Sequence, residues 1–161
     1  MSEHQVVGIP TGESNPADVI VRGKASGFLQ EIQSERFHLQ ADEPTSVGGS
    51  DLAPTPYDYL LAGLGACTSM TIALYARKKK WPLEDVQLAL HHSRIHAKDC
   101  ADCETENGML DNIELKVELT GPLTAEQREK LMEVASKCPV HRTLKSEIRI
   151  KVSPSEVSAD S

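Results

Sequence analysis

Pro56-Tyr57-Asp58-Tyr59-Leu60-Leu61-Ala62-Gly63-Leu64-Gly65-Ala66-Cys67-Thr68-Ser69-Met70-Thr71-Ile72-Ala73-Leu74-Tyr75-Ala76-Arg77-Lys78-Lys79 is the stretch that decides the fold class. Leu60, Leu61, Leu64, Thr68, Thr71, Leu74 and Tyr75 recur at three- and four-residue steps, which predicts a helix from Tyr57 to about Lys79. Pro56 suits its first turn, and Trp81-Pro82 ends it. Ala62, Gly63, Gly65 and Ala66 permit close approach by a neighbouring element. No Lys, Arg or Glu interrupts the run before Arg77, so burial on most sides is expected. Arg77 to Lys80 reads as a solvated last turn whose cations complement the helix dipole, rather than as a phosphate site.

Upstream of this helix, Val19–Val21, Phe28–Ile32 and Phe37–Ala41 read as short strands, punctuated by Gly23 and Gly27. Residues 42–56 hold Pro44, Gly48, Gly49 and Pro54, and cannot be helical. Downstream, Val86 to His96 and Ile113 to Leu119 alternate as strands. Thr124 caps a second helix with Gln127 at the reciprocal position, and Ile148, Ile150 and Val152 alternate as a last strand. The order β-β-β-α-β-β-α-β segregates strands from helices, so the expected class is α+β. Residues 1–17 read as a flexible arm, 18–153 as a single domain and 154–161 as a frayed tail.

Composition narrows the function classes. A chain of 161 residues with 39% hydrophobic content suits one cored domain, and a net charge of −7 argues against a nucleic-acid surface. No stretch is expected to approach the ~18 apolar residues of a membrane span. The N-terminus lacks the pattern of a secretory signal, so a cytoplasmic location is expected, where thiols stay reduced. Four cysteines in such a chain read as catalytic, metal-binding or inert.

Cys67 lies on an apolar helix, where a cysteine commonly serves as a small core hydrophobe. Cys138 precedes Pro139 and is expected at the N-cap of a short helical turn. Unpaired backbone N–H groups, with Lys137, His141 and Arg142 nearby, would there favour its thiolate. A buried cysteine at a helix break is the plainer reading. Cys100 and Cys103 form C-x-x-C among carboxylates that oppose thiolate formation, which disfavours a nucleophilic role. A surface loop without chemistry, a labile disulfide and a weak zinc site remain open for this pair. His96, His91, His92 and His141 are the candidate extra ligands, and no second C-x-x-C completes a finger.

Taken together, Pro54-Thr55-Pro56-Tyr57-Asp58-Tyr59-Leu60-Leu61-Ala62-Gly63-Leu64-Gly65-Ala66-Cys67 and Cys138-Pro139-Val140-His141 resemble the two cysteine motifs of the OsmC/Ohr family of stress-associated thiol proteins. The resemblance spans roughly Val19 to Val152. It implies antiparallel sheets wrapped around two central helices in an intertwined homodimer. It also implies an interfacial pocket in which Cys67 attacks an organic hydroperoxide, Cys138 resolves the product, and a dithiol reductant restores the pair without a cofactor. The family's peroxidases carry a glutamate ten residues before the first cysteine, where this sequence has Tyr57 with Asp58 beside it. Arg22, Lys24 and Arg36 are the candidates for the family's hairpin arginine. Binding of a small hydrophobic or electrophilic ligand without turnover is the alternative for the same pocket, and a zinc or redox-sensing role the alternative at Cys100/Cys103.

Overall fold

The computed structural model describes residues 17–155, so the arm expected over 1–17 and the tail over 154–161 lie almost wholly outside the described residues. Contacts divide the chain after Pro56 into two compact units.

The first unit is an antiparallel three-stranded meander of β1 (Ile20–Gly23), β2 (Gln30–Ser34) and β3 (Phe37–Ala41). Ser34 pairs with Phe37 across a tight turn in which Glu35 adopts φ 48°. The loop that follows is organised by Asp42, which is almost fully buried. Its Oδ1 accepts from the N–H of Glu43 at 2.8 Å, and its Oδ2 from those of Ser50 and Leu52 at 3.2 Å each. These bonds outweigh the upward push of burial and hold its carboxyl below the usual carboxylate range, the Glu43 N–H contributing most. Gly49 is obligatory here, because a Cβ would lie 1.8 Å from the Glu43 carbonyl oxygen.

The second unit begins with α1 (Pro56–Lys79), followed by β4 (Asp85–His96) and β5 (Met109–Thr120), a twelve-residue antiparallel ribbon. Next come α2 (Ala125–Ala135) and α3 (Pro139–Lys145). α1 closes in a Schellman arrangement, with Trp81 N–H donating to Ala76 O and Lys80, at φ 55°, donating to Arg77 O. The capping box expected at Thr124 and Gln127 is present at α2. Arg128 ties α2 to the end of β5, its guanidinium donating to Leu119 O at 2.6 Å and Gly121 O at 2.9 Å. Ile72, Ala76, Leu119, Leu131 and Ala135 form the core, flanked by Tyr75, Trp81, Leu83 and Val117. The architecture is α+β with antiparallel pairing throughout.

Three expectations need correction. α1 is not buried on most sides: Leu64, Gly65, Thr68, Ile72 and Ala76 make one stripe, while Met70 is 70% exposed and Leu74 is also exposed. The helix is 24 residues long and its most apolar 18-residue window has a mean hydropathy of 1.4, which meets the length and composition of a membrane span. The packing of Ile72 and Ala76 against α2 and β5 identifies it instead as the core helix of this unit. The last strand does not form: residues 147–155 pair with no strand, and Ile150 and Val152 are 82% and 91% exposed. Alternating residues supply a strand's pattern but not its partner: among the described residues β4 and β5 pair only with each other and leave their outer edges open, and residues 147–155 lie along neither.

Candidate functional site

Cys138 is the fully buried N-cap of α3, and Pro139 occupies the first helical position. Its sulfur takes the place of the usual capping oxygen and accepts from the His141 N–H at 3.2 Å. His141 thus contributes its backbone; Lys137 is engaged instead with Glu133. Thr68 and Cys67 of α1 complete the surroundings. Thr68 is fully buried on the stripe between Leu64 and Ile72, and its Oγ1 lies 3.4 Å from Cys138 Sγ. The half-buried Cys67 lies close enough to the Cys138 thiol to favour its ionised form. Burial pushes the Cys138 thiol up. The Thr68 hydroxyl, the His141 N–H, Cys67 and the Val140 N–H together outweigh that push and hold it below the ordinary thiol value.

Thr68 was not a candidate on sequence. Its signal is a hydroxyl on an otherwise apolar helical stripe, one residue past a cysteine. The hydroxyl also donates to the Leu64 carbonyl at 2.8 Å, the local back-bond open to any helical threonine. Thr71 does the same to Cys67 O at 2.7 Å.

The remaining candidates fall elsewhere. Tyr57 stacks on His92 with ring centroids 4.6 Å apart, and His92 Nε2 is 2.9 Å from Asp111 Oδ1. The position where the family carries a glutamate is therefore an aromatic packed on β4. Asp58 is in the first turn of α1. Arg22 and Lys24 line a groove of the first unit with Leu29 and Glu31, and the Arg36 guanidinium lies over the Phe37 ring at 4.7 Å. Cys100 and Cys103 are joined in a disulfide at the tip of the β4–β5 ribbon, one of the readings left open for this pair. His96 caps the turn before them, its Nδ1 accepting from the Lys98 N–H at 3.2 Å.

A family model described as OsmC-like protein matches residues 48–153. No curated protein sequence matches the chain. Among solved structures, an OsmC-like protein from Mycoplasma pneumoniae superposes with a TM-score of 0.62 at 22% identity, covering 81% of this chain and 88% of that one. An organic hydroperoxide resistance protein OsmC from Legionella pneumophila gives a TM-score of 0.58 at 23% identity, covering 82% and 92% respectively. The organic hydroperoxide resistance protein OhrB of Bacillus subtilis gives 0.55 at 19% identity, covering 79% and 88%. At these identities the likeness is one of fold.

Proposed function

The chain belongs to the OsmC-like protein family, and from that premise we propose that it is a thiol-dependent peroxidase reducing organic hydroperoxides through Cys67 and Cys138. The observation that carries this reading is the placement of a partly exposed Cys67 beside a buried Cys138 whose thiolate is favoured. A substrate arriving from solvent meets Cys67 first. The Cys67 thiolate attacks the distal peroxide oxygen, the O–O bond breaks, and the products are a Cys67 sulfenic acid and an alkoxide, which takes a proton to leave as the alcohol. The Cys138 thiolate then attacks the sulfenic sulfur, and the displaced hydroxide leaves as water. A small-molecule or protein dithiol returns both cysteines to thiols and becomes the oxidised partner.

The low-lying Cys138 thiol serves two of these steps. It supplies the resolving thiolate, and it is the better leaving group when the incoming dithiol attacks the Cys67 sulfur of the disulfide. Apolar neighbours such as Leu64, Met70 and Val140 favour alkyl over hydrogen peroxide. The protein acts as a homodimer in a reducing, cytoplasmic setting; the exposed Met70 and Leu74 on α1, and the unpaired Ile148, Ile150 and Val152, support an apolar interface with a second copy.

Stopped-flow consumption of cumene hydroperoxide with dithiothreitol tests the reading. Wild type is expected to turn over and Cys67→Ser to fall to background. Equal rates for the two would reject it. The stacking of Tyr57 where a glutamate is expected favours a second reading, a pocket that holds a hydrophobic or electrophilic ligand without turnover. A ligand retained in native mass spectrometry, with no peroxide consumed, would select it.

A further inference from the structure

The β4–β5 ribbon ends in a loop unused by the Cys67/Cys138 chemistry. Its base is fixed: Ala97 is buried, its N–H donates to Gly108 O at 2.8 Å, and Cys100 N–H donates back to Ala97 O at 3.1 Å. Cys100 and Cys103 are bonded within it with Cα atoms 5.5 Å apart, and Cys100 Sγ lies 3.7 Å from Asp102 Oδ1.

Two uses of such a pair compete. As an exchange relay it would have to admit an incoming thiolate. Asp99, Asp102, Glu104 and Glu106 lie in the same loop, with Lys98 the one cation from 97 to 108, so an incoming thiolate is slowed, and the pair suits an occasional change of redox state better than rapid exchange. As a cation site it gains from the same charge. The Cys100 and Cys103 sulfurs and an Asp102 oxygen all lie within 4.8 Å of one another. Asp102 Oδ1 lies 3.7 Å from Cys100 Sγ, near the ligand–ligand edge of a tetrahedral shell with bonds of about 2.3 Å to sulfur and about 2.1 Å to oxygen, and the two sulfurs, bonded here, part on reduction. The charge of the loop decides between the two.

We propose that the loop is a redox-gated site for one thiophilic divalent cation of the Zn2+ class, held by Cys100, Cys103 and Asp102 when the disulfide is reduced. An external dithiol gives two electrons and two protons to the Cys100–Cys103 bond and is itself oxidised to a disulfide. The cation then displaces the two thiol protons and binds two thiolates and a carboxylate, with solvent completing its shell. Oxidation to the state in this structure removes both sulfur ligands and closes the site. The proposal is independent of the peroxidase reading, since it uses neither Cys67 nor Cys138.

The test uses the full chain in a Cys67→Ser/Cys138→Ser background, so that bound metal cannot come from those thiols. The protein is reduced with a phosphine, loaded with Zn2+, passed through gel filtration and assayed for metal; Co2+ loading gives a thiolate charge-transfer band as a second readout. One equivalent is expected in the reduced protein and none after oxidation or in Cys100→Ser. Asp102→Asn is expected to weaken binding at least about tenfold, since loss of an outer-shell partner alone costs that much. Absence of metal from the reduced protein overturns the proposal, as does metal that survives oxidation or Cys100→Ser. The oxidised wild type serves as the folded negative control should Cys100→Ser misfold.

Discussion

The Thr68 hydroxyl sits between two acceptors, 2.8 Å from Leu64 O and 3.4 Å from Cys138 Sγ. It has one proton to give. Either the hydroxyl or the thiol can donate across the 3.4 Å contact, so the Thr68 proton can serve Leu64 O while Cys138 is a thiol and, by rotation, the sulfur once Cys138 is ionised. The rotation costs one neutral bond and gains a charge-assisted one.

Thr68→Val keeps shape and removes the switch. The Cys138 ionisation, followed by ultraviolet thiolate absorbance in a Cys67→Ser background, is expected to move to higher pH. Thr68→Ser should restore it, since serine supplies the same donor. The Val variant is expected to lose about 1 kcal/mol of stability from the missing buried bond. An unchanged titration in Thr68→Val would show that the hydroxyl does not serve the sulfur.

The Cys138 shift also links to stability. Its folded pKa is lowered from the ordinary 9.0, so the ionised group stabilises the fold. That contribution is fully present above pH 9.0 and is lost as pH falls through the folded value. Reduced wild type should therefore gain stability relative to Cys138→Ala between neutral pH and pH 9.0, measured as the difference in denaturation midpoints. A constant difference would contradict it.

Asp42 behaves the same way at acid pH. Its lowered carboxyl contributes stability above its ordinary value of 3.8, and that is lost as pH falls through the folded value. Protease nicking over residues 42–56 should rise in that window. Asp42→Asn, with one accepting oxygen instead of two, should be nicked readily even at neutral pH and show little further change with acid.

In the second unit, Ile72 and Leu131 are fully buried in one cluster. Ile72→Ala and Leu131→Ala should each cost about 2–5 kcal/mol in urea unfolding. Because the two residues share a core, the double variant should deviate from additivity. A loss under about 1 kcal/mol for either would mean that the cavity collapses or that the packing differs.

What the sequence determined by itself is local. The helical period from Pro56, the paired Thr124 and Gln127, and a cysteine set before a proline each act within a turn or two of chain. Those elements formed where the residues predicted, with Cys138 as a helix cap. What only the tertiary structure decided depends on which distant segments meet. Thr68 looked like one more residue of a helical face until its stripe met the Cys138 cap, 70 positions along. Tyr57 became a stacking partner because β4 presents His92 there. Ile148, Ile150 and Val152 carried a strand's pattern and formed none, because alternation sets a strand's faces while pairing depends on which edge the segment is brought to. The nearness of Cys67 to Cys138 belongs to the same class: resemblance suggested it, and the packing of α1 against the turn before α3, through Thr68, sets the two cysteines beside each other.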